Sequence, residues 1–491
     1  MCDERAKHSM SPVALRGGFV TAAAQVLKII IQFLSVLVLA RLLIPEDFGL
    51  IASVSPIAAF VGLFQNLGLQ QAVVQRKEIS EHQLNQVFWA STFIGIGCTA
   101  VLTIAAPIVA AFYGDPRMTA ITVATALPLF LGSLAALPLA LMNRHLQFGQ
   151  LAFNDVISAA AGFLATALAA WKGFGYWSLA IGPAITAAVT LLAAWWTTRW
   201  LPGKPVLRVD GDIISFGANL TGFNLVNFFS RNLDNILIGK YSGAVELGYY
   251  DRAYKLLLFP LQNITQPLTR VMIPLMSQIQ DDKVRFRQIY VRTNWLLAAC
   301  TIPGIAAVTC SAEPVVGLLF GQQWLPVAPI FVWLGIAGLI QPVNNTTGWI
   351  FICQGKTKAM FHWGIYSSLT TVAAFVIGLQ WGAVGVAAAY AITGYILHLP
   401  VLAMTLQRIG PISAVDFLSM QALFLISSLL AWLGYYFLMQ HGQLSSDIIA
   451  IAASLVLNYG TAFILVMLLP SSQKVFSLLA SNLLKARRPS T

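Results

Sequence analysis

The sequence predicts an all-α integral membrane protein of about 14 transmembrane helices, built as two six-helix lobes related by an internal repeat plus two C-terminal helices. Three observations carry that expectation. The 491 residues are 58% apolar and only 10% charged, with a mean hydropathy of +0.75, whereas soluble proteins carry about 25% charged residues. Apolar stretches of the roughly 20 residues that a bilayer crossing needs recur along the whole chain. The basic residues between them collect in alternate connections, as expected of a chain that crosses a membrane many times.

Taken in order, spans are predicted near 18–44, 48–75, 86–112, 118–141, 153–171, 176–198 and 213–238, then near 253–276, 292–311, 325–352, 360–380, 383–406, 417–438 and 446–469. With the N-terminus in the cytoplasm, segments on that side hold 20 of the 29 Lys and Arg, from Arg5, Lys7 and Arg16 to Lys485, Arg487 and Arg488. Six fall in opposite connections: Arg41, Arg117, Lys172, Lys240, Arg252 and Lys255. The other three, Lys28, Arg231 and Arg270, lie inside spans or at their ends. One span missed or invented would invert every later connection and erase the asymmetry, so an even count is expected, with both termini cytoplasmic.

The predicted organisation is a cytoplasmic segment 1–17, an N-lobe 18–198, a cytoplasmic linker 199–212 and a C-lobe 213–406, followed by two helices in 407–469 and a basic tail 470–491. The repeat is read from LARLLIPEDFGL at 39–50 and IGKYSGAVELGY at 238–249. A shift of 199 places Arg41 on Lys240, Asp47 on Glu246, Phe48 on Leu247 and Gly49 on Gly248. In both strings an apolar helix ends in a basic residue, and a short turn leads through acidic–apolar–Gly into the next helix. Six spans separate the copies, so both lobes keep one orientation and are expected to be related by an axis along the membrane normal.

Several function classes are set aside by the same reading. The net charge of +11 is spread over many connections instead of one basic domain, which argues against nucleic acid and for positive-inside topology beside anionic headgroups. The five cysteines form no CxxC pair, so neither a disulfide framework nor a zinc site is expected. No GxxxxGK[ST] loop or HExxH is present, and the six histidines are scattered. The first apolar stretch is too long for a cleaved signal segment. No connection is long enough for an extramembrane domain, so transport is the leading expectation, with no enzyme activity and no cofactor.

Charges within spans mark candidate sites, because a charge at mid-bilayer costs about 2.5–3.5 kcal/mol on insertion scales and usually faces a bundle interior or water. Lys28 lies on one helical face with Gln25 and Gln32. Arg231 and Asp234 stand at i and i+3 in the seventh span beside Asn227, and Arg270 lies toward the end of the eighth. The 199 shift places Lys28 on Asn227 and Gln32 on Arg231, so the polar face recurs. Lys28, Arg231 and Arg270 suit a phosphate or pyrophosphate: arginine holds its oxygens bidentately and lysine adds a point charge. Arg231 can equally be read as neutralising Asp234, and Arg270 as reaching the headgroups. Asp234 reads as the only carboxylate deep in a span, with Asp155 and Glu313 nearer helix ends, and so as a candidate for a coupling cation. Gln341, Asn344, Asn345 and Thr346 beside Pro342 suggest a broken or hydrated helix that could contact sugar hydroxyls, or interhelical hydrogen bonds.

LARLLIPEDFGLIA (39–52), LGLQQAVVQRKEIS (67–80), DNILIGKYSGAVELGYYDRAYKL (234–256), WLPVAPIFVWLGIAGLIQPV (324–343) and GKTK (355–358) together resemble the polysaccharide transporter family of the MOP flippase superfamily. The likeness runs from about residue 15 to 410. It implies a flippase in a bacterial inner membrane that moves undecaprenyl-pyrophosphate-linked oligosaccharide repeat units from the cytoplasmic to the periplasmic leaflet by alternating access, for exopolysaccharide or lipopolysaccharide synthesis. The implied partners are the lipid-linked oligosaccharide, membrane lipids, a polysaccharide polymerase and a coupling cation. In related flippases early helices of each lobe offer basic residues to the pyrophosphate, a role that Lys28, Arg231 and Arg270 could fill here. The rival readings are a multidrug or cation antiporter of the same superfamily, and a membrane polysaccharide polymerase or ligase.

Overall fold

The structure, a computed structural model, describes residues 12–65, 70, 73–74, 78–205, 228, 232–442 and 446–468. Among these residues there are fifteen α-helices with both ends described, a further helical stretch at 232–241 and no strand. The first six are α1 (Pro12–Leu42), α2 (Pro45–Gln65), α3 (Glu81–Tyr113), α4 (Arg117–Arg144), α5 (Phe148–Trp171) and α6 (Tyr176–Thr198). After residues 232–241, also helical, come α7 (Gly243–Ser277), α8 (Lys283–Cys310), the short α9 (Ala312–Leu319), α10 (Val327–Cys353) and α11 (Thr357–Gly378). The series ends with α12 (Gly382–Thr393), α13 (Leu399–Ile409), α14 (Ala414–Gln440) and α15 (Asp447–Leu468). Eleven stretches among the described residues are long and apolar enough to cross a bilayer, and the protein is a multi-pass membrane protein.

The longest of these stretches, Thr357–Ile409, doubles back on itself. Gly378 and Gly385 face each other so closely that a methyl on either would overlap the other's carbonyl oxygen. Gly382 takes φ +66°, which glycine adopts without steric cost. The hairpin thus holds two of the predicted spans, α11 and then α12–α13, the latter two joined by one π-helical turn, Gly394–His398. The predicted seventh span, 213–238, lies mostly outside the described residues.

The predicted eighth span needs correction. Its helix, α7, begins at Gly243 and not near 253, so Arg252 and Lys255 sit inside a helix and not in a connection. A hydropathy reading rejects Asp251, Arg252 and Lys255 as span interior. Together they are tolerated there: Asp251 Oδ2 lies 2.8 Å from Arg252 and Oδ1 lies 2.9 Å from the Lys255 ammonium. A paired, hydrogen-bonded charge escapes much of the penalty of an isolated one.

The chain forms two compact units, Met1–Gly248 and Tyr249–Thr491. In the first, α1 packs on α5, α3 on α4, and α6 on both α4 and α5. Small residues permit the close approach: Gly162 meets Thr186 and Gly182 meets Thr166 across α5 and α6. In the second, α8 packs on α10, α14 and α15, and α10 packs on α12. Helix starts follow local chemistry. Ser80 and Gln83 form a reciprocal capping box before α3, and Ser413 and Asp416 do the same before α14.

The repeat has a structural counterpart inside the first unit. A methyl on Gly49 would overlap the Ala244 carbonyl oxygen, and one on Gly248 would overlap that of Pro45. The 199 shift turns Pro45 into Ala244 and Gly49 into Gly248, so each contact is the image of the other. The two helix starts therefore cross about a local two-fold, at the one place where neither copy carries a side chain.

An ionic clamp holds the first of these turns. Arg117 reaches Glu46 at 2.6 Å and Asp115 at 2.7 Å, and its hydrogen bonds hold the Asp115 carboxyl below the usual carboxylate range. A depressed carboxyl stabilises the fold above its unfolded pKa of about 3.9, and that contribution is lost as pH falls through the lower folded value. Because the groups are substantially exposed, Arg117→Ala is expected to cost no more than about 1 kcal/mol at pH 7. Thermal unfolding in detergent should show the variant and the parent converging as pH drops below about 3.9.

Candidate functional site

Lys28 lies sixteen residues into α1 and eight into its apolar stretch, Val20–Leu42, about 12 Å from the start of that stretch at 1.5 Å per residue. Asp155 lies seven residues into α5, about 10 Å from its start. These helices pack together, and Lys28 Nζ stands 3.2 Å from Asp155 Oδ2. Both side chains remain open, 43% and 58% exposed respectively. Gln25 and Gln32, a turn to either side, are exposed as well. Ionic groups this open inside a span cannot face hydrocarbon without a large penalty, so this face of α1 borders water.

Asp155 is the residue that sequence reasoning misjudged. It was assigned to a helix end, whereas it is two turns into α5 and is the ionic partner of Lys28. Asp234 is therefore not the only carboxylate within a helix, since Asp155 and Asp251 join it. A signal was present: Lys28 and Asp155 lie at similar depths in spans that the topology starts from the same side. The preceding residue, Asn154, is engaged elsewhere, its amide nitrogen donating to the Thr190 carbonyl at 3.3 Å and its oxygen accepting from Ser158 at 3.0 Å. The two neighbours thus split the faces of α5, one gluing α6 and the other holding Lys28.

Asp234, in the helical stretch 232–241, is 4% exposed, with one carboxylate oxygen 2.8 Å from the Asn235 backbone N–H. Arg231 and Asn227 lie outside the described residues. Nearby, Lys240 donates to the Phe112 carbonyl and covers the Phe112 ring at 5.1 Å. Tyr113 donates to the Ser53 carbonyl at 3.0 Å, close to Gly239. The end of this helix is thereby fastened to α2 and α3.

The second unit carries its own polar cavity, of about 300 Å³, lined by Thr265, Gln266, Thr269 and Arg270 of α7 and by Asn345 and Thr346 of α10. The structure thus brings together Arg270 and Asn345, which the sequence named separately. Arg270 and Asn345 are exposed, whereas Thr346 is buried. Thr269 accepts from the Trp349 indole at 3.1 Å and donates to the Thr265 carbonyl at 2.8 Å, which orders the wall of the cavity. Gln341 points elsewhere, donating to Tyr390 at 3.3 Å. Asn344 keeps a buried side-chain oxygen without a partner.

Of the broken or hydrated segment expected around Pro342, the break is not there, and the helix is continuous. Thr347 donates to the Asn344 carbonyl three residues back at 2.7 Å. The single Thr346 hydroxyl proton is shared between the Val343 carbonyl at 2.7 Å and Asn294 Oδ1 at 2.6 Å, its oxygen pairs with the Tyr290 hydroxyl at 3.0 Å, and the Asn294 amide donates to the Tyr290 carbonyl. These three side chains are buried and tie α8 to α10 behind the cavity. Thr346→Val keeps the shape but leaves Asn294 Oδ1 without that donor, at an expected cost of about 1–3 kcal/mol. Thermal unfolding of the purified variant would read this as a lowered midpoint.

Comparison with known proteins agrees with this architecture. The sequence profile of the family described as polysaccharide biosynthesis protein matches residues 38–329. The lipopolysaccharide biosynthesis protein WzxC of Escherichia coli (strain K12) is 25% identical over 386 residues, 77% of this chain and 78% of that protein. The succinoglycan biosynthesis transport protein ExoT of Rhizobium meliloti (strain 1021) is 25% identical over 356 residues, 71% of each. Among solved structures, the lipid II flippase MurJ in an inward closed conformation superposes with a TM-score of 0.69 at 14% identity, over 91% of this chain and 99% of that one. The shared fold and the match over more than half the chain place it: this protein belongs to the polysaccharide biosynthesis protein family.

Proposed function

We propose that the protein is a flippase that moves undecaprenyl-pyrophosphate-linked oligosaccharide repeat units across a bacterial inner membrane, from the cytoplasmic to the periplasmic leaflet, by alternating access. One observation carries the proposal beyond family membership. Each unit presents an exposed basic side chain within its helices, Lys28 on α1 and Arg270 beside a polar cavity. Cations held open inside a membrane protein suit an anionic headgroup that must cross it. Phosphate oxygens match the point charge of lysine and the planar fork of arginine. Asn345, Gln266 and Thr269 add amides and a hydroxyl of the kind that bind sugars. The proposed topology keeps both termini cytoplasmic, with lobes at 18–198 and 213–406 joined by the linker 199–212. Chemistry on the glycan is left to other proteins, a polymerase among them.

The names of relatives fit this reading, one being a transport protein for succinoglycan biosynthesis and another a lipopolysaccharide biosynthesis protein. A cation-coupled antiporter is the second reading, favoured by the carboxylates Asp155, Asp234 and Asp251 within helices. Asp234, 4% exposed in the helical stretch 232–241, is the proposed coupling residue. The test is the leaflet distribution of undecaprenyl-linked oligosaccharide in cells with and without the chain. Cytoplasmic accumulation in its absence, reversed on restoring it, is expected. An unchanged distribution together with altered drug tolerance would favour the antiporter. Delivery of single units that fail to polymerise would favour a polymerase.

A further inference from the structure

We propose that Asp155 is a resident counter-ion for Lys28, which the anionic headgroup of the cargo displaces on binding and which re-pairs with Lys28 to expel it. The inference deepens the flippase reading and rests on it. Four features of the pair lead there. Lys28 and Asp155 meet at 3.2 Å, yet both are about half exposed, so either can swing into water without leaving a buried charge behind. Such an open pair is weak, unlike a buried one, and opening it costs little. Among the described residues, Asp155 has no other ionic partner and Lys28 has no other anion, so the two form a closed exchange unit. α5 has no other ionisable residue between Phe148 and Trp171, and α6, which packs against it, has none stronger than tyrosine.

The consequence is a site that is neutral when empty. A lone lysine in a membrane lumen would collect chloride or any free phosphate, whereas a paired one yields only to a stronger acceptor. A diphosphate brings more charge and more oxygens than one carboxylate, and charge-assisted hydrogen bonds to it outcompete the resident bond. The displaced carboxylate stays nearby and repels the bound headgroup. That lowers affinity and speeds departure, which a transporter needs, since binding that is too tight stalls the cycle. Linkage requires reciprocity: if the headgroup weakens the Lys28–Asp155 pair, removing Asp155 must strengthen headgroup binding through Lys28.

The test uses the full-length protein in lipid nanodiscs, with undecaprenyl diphosphate as probe and uncharged undecaprenol as the reference for tail binding. Asp155→Asn is expected to bind the diphosphate about five- to tenfold more tightly than the parent, with undecaprenol unchanged. In proteoliposomes its apparent KM should fall and its maximal transfer rate should fall too, a split that loss of a merely structural bond would not produce. Asp155→Glu should restore both values, and Asp155→Ser serves should the asparagine variant fold poorly. In a Lys28→Gln background the gain should vanish. Unchanged diphosphate affinity in Asp155→Asn, or an equal gain without Lys28, would overturn the counter-ion role while leaving the flippase reading standing. A parent protein that binds the diphosphate no better than undecaprenol would overturn both.

Discussion

Lys28→Ala is expected to lower transfer of the lipid-linked oligosaccharide about 10- to 100-fold while the protein still inserts and folds. The magnitude follows from losing a hydrogen bond to a charged group, about 1.5–3 kcal/mol. Insertion should survive because the lost charge is itself costly in a span, and its partner Asp155 is 58% exposed and stays hydrated. Two measurements decide the matter: accumulation of undecaprenyl-linked units in the inner leaflet, and the monodispersity of the purified variant. Normal flipping by a well-folded Lys28→Ala protein would remove Lys28 from the site. Arg270→Ala makes the same test in the second unit, where Asn345 and Thr269 would keep the cavity wall in place.

The second large effect concerns Gly49 and Gly248. Replacing either by alanine in a helix interior would ordinarily gain up to about 1 kcal/mol from propensity. Here the sign is expected to reverse. The atoms met by the new methyl are backbone carbonyls, at Ala244 and Pro45, which cannot rotate aside as a side chain would. Overpacking of this kind costs about 1–3 kcal/mol, and Gly49→Val or Gly248→Val should fail to accumulate as folded protein. Gly97→Ala is the control, because nothing lies within 4 Å of where its methyl would sit on α3. Thermal unfolding of Gly49→Ala, Gly248→Ala and Gly97→Ala in detergent should lower the first two midpoints and spare the third. Equal behaviour of all three would mean that the helix starts do not cross this closely in the membrane. The glycine contacts also account for why the repeat is legible where it is: close crossing forbids a side chain in both copies, while the residues around it are free to diverge.

The candidate site was only partly legible, and particular residues show why. Lys28 stood out because one charge in a long apolar run is conspicuous. Asp155 did not, because a carboxylate seven residues from a helix start looks like an end residue until its partner is known. Asp251, Arg252 and Lys255 were misplaced for a related reason. Scored singly they end a span, whereas a triad at 2.8 and 2.9 Å carries much less net charge into it. Arg270 and Asn345 were named from separate spans, 75 positions apart, and nothing in the chain says that they share one cavity.

What the sequence determines alone is set by solvent and period. Apolar length, low charge and the alternation of basic connections follow from the bilayer, which acts on each segment separately, so the all-α membrane class and the repeat of helix starts could be read without coordinates. Which charges pair, where α7 begins and that Pro342 sits in an unbroken helix were decided by tertiary structure. The reason is that the cost of a polar group in a membrane depends on its neighbour, and packing alone chooses the neighbour.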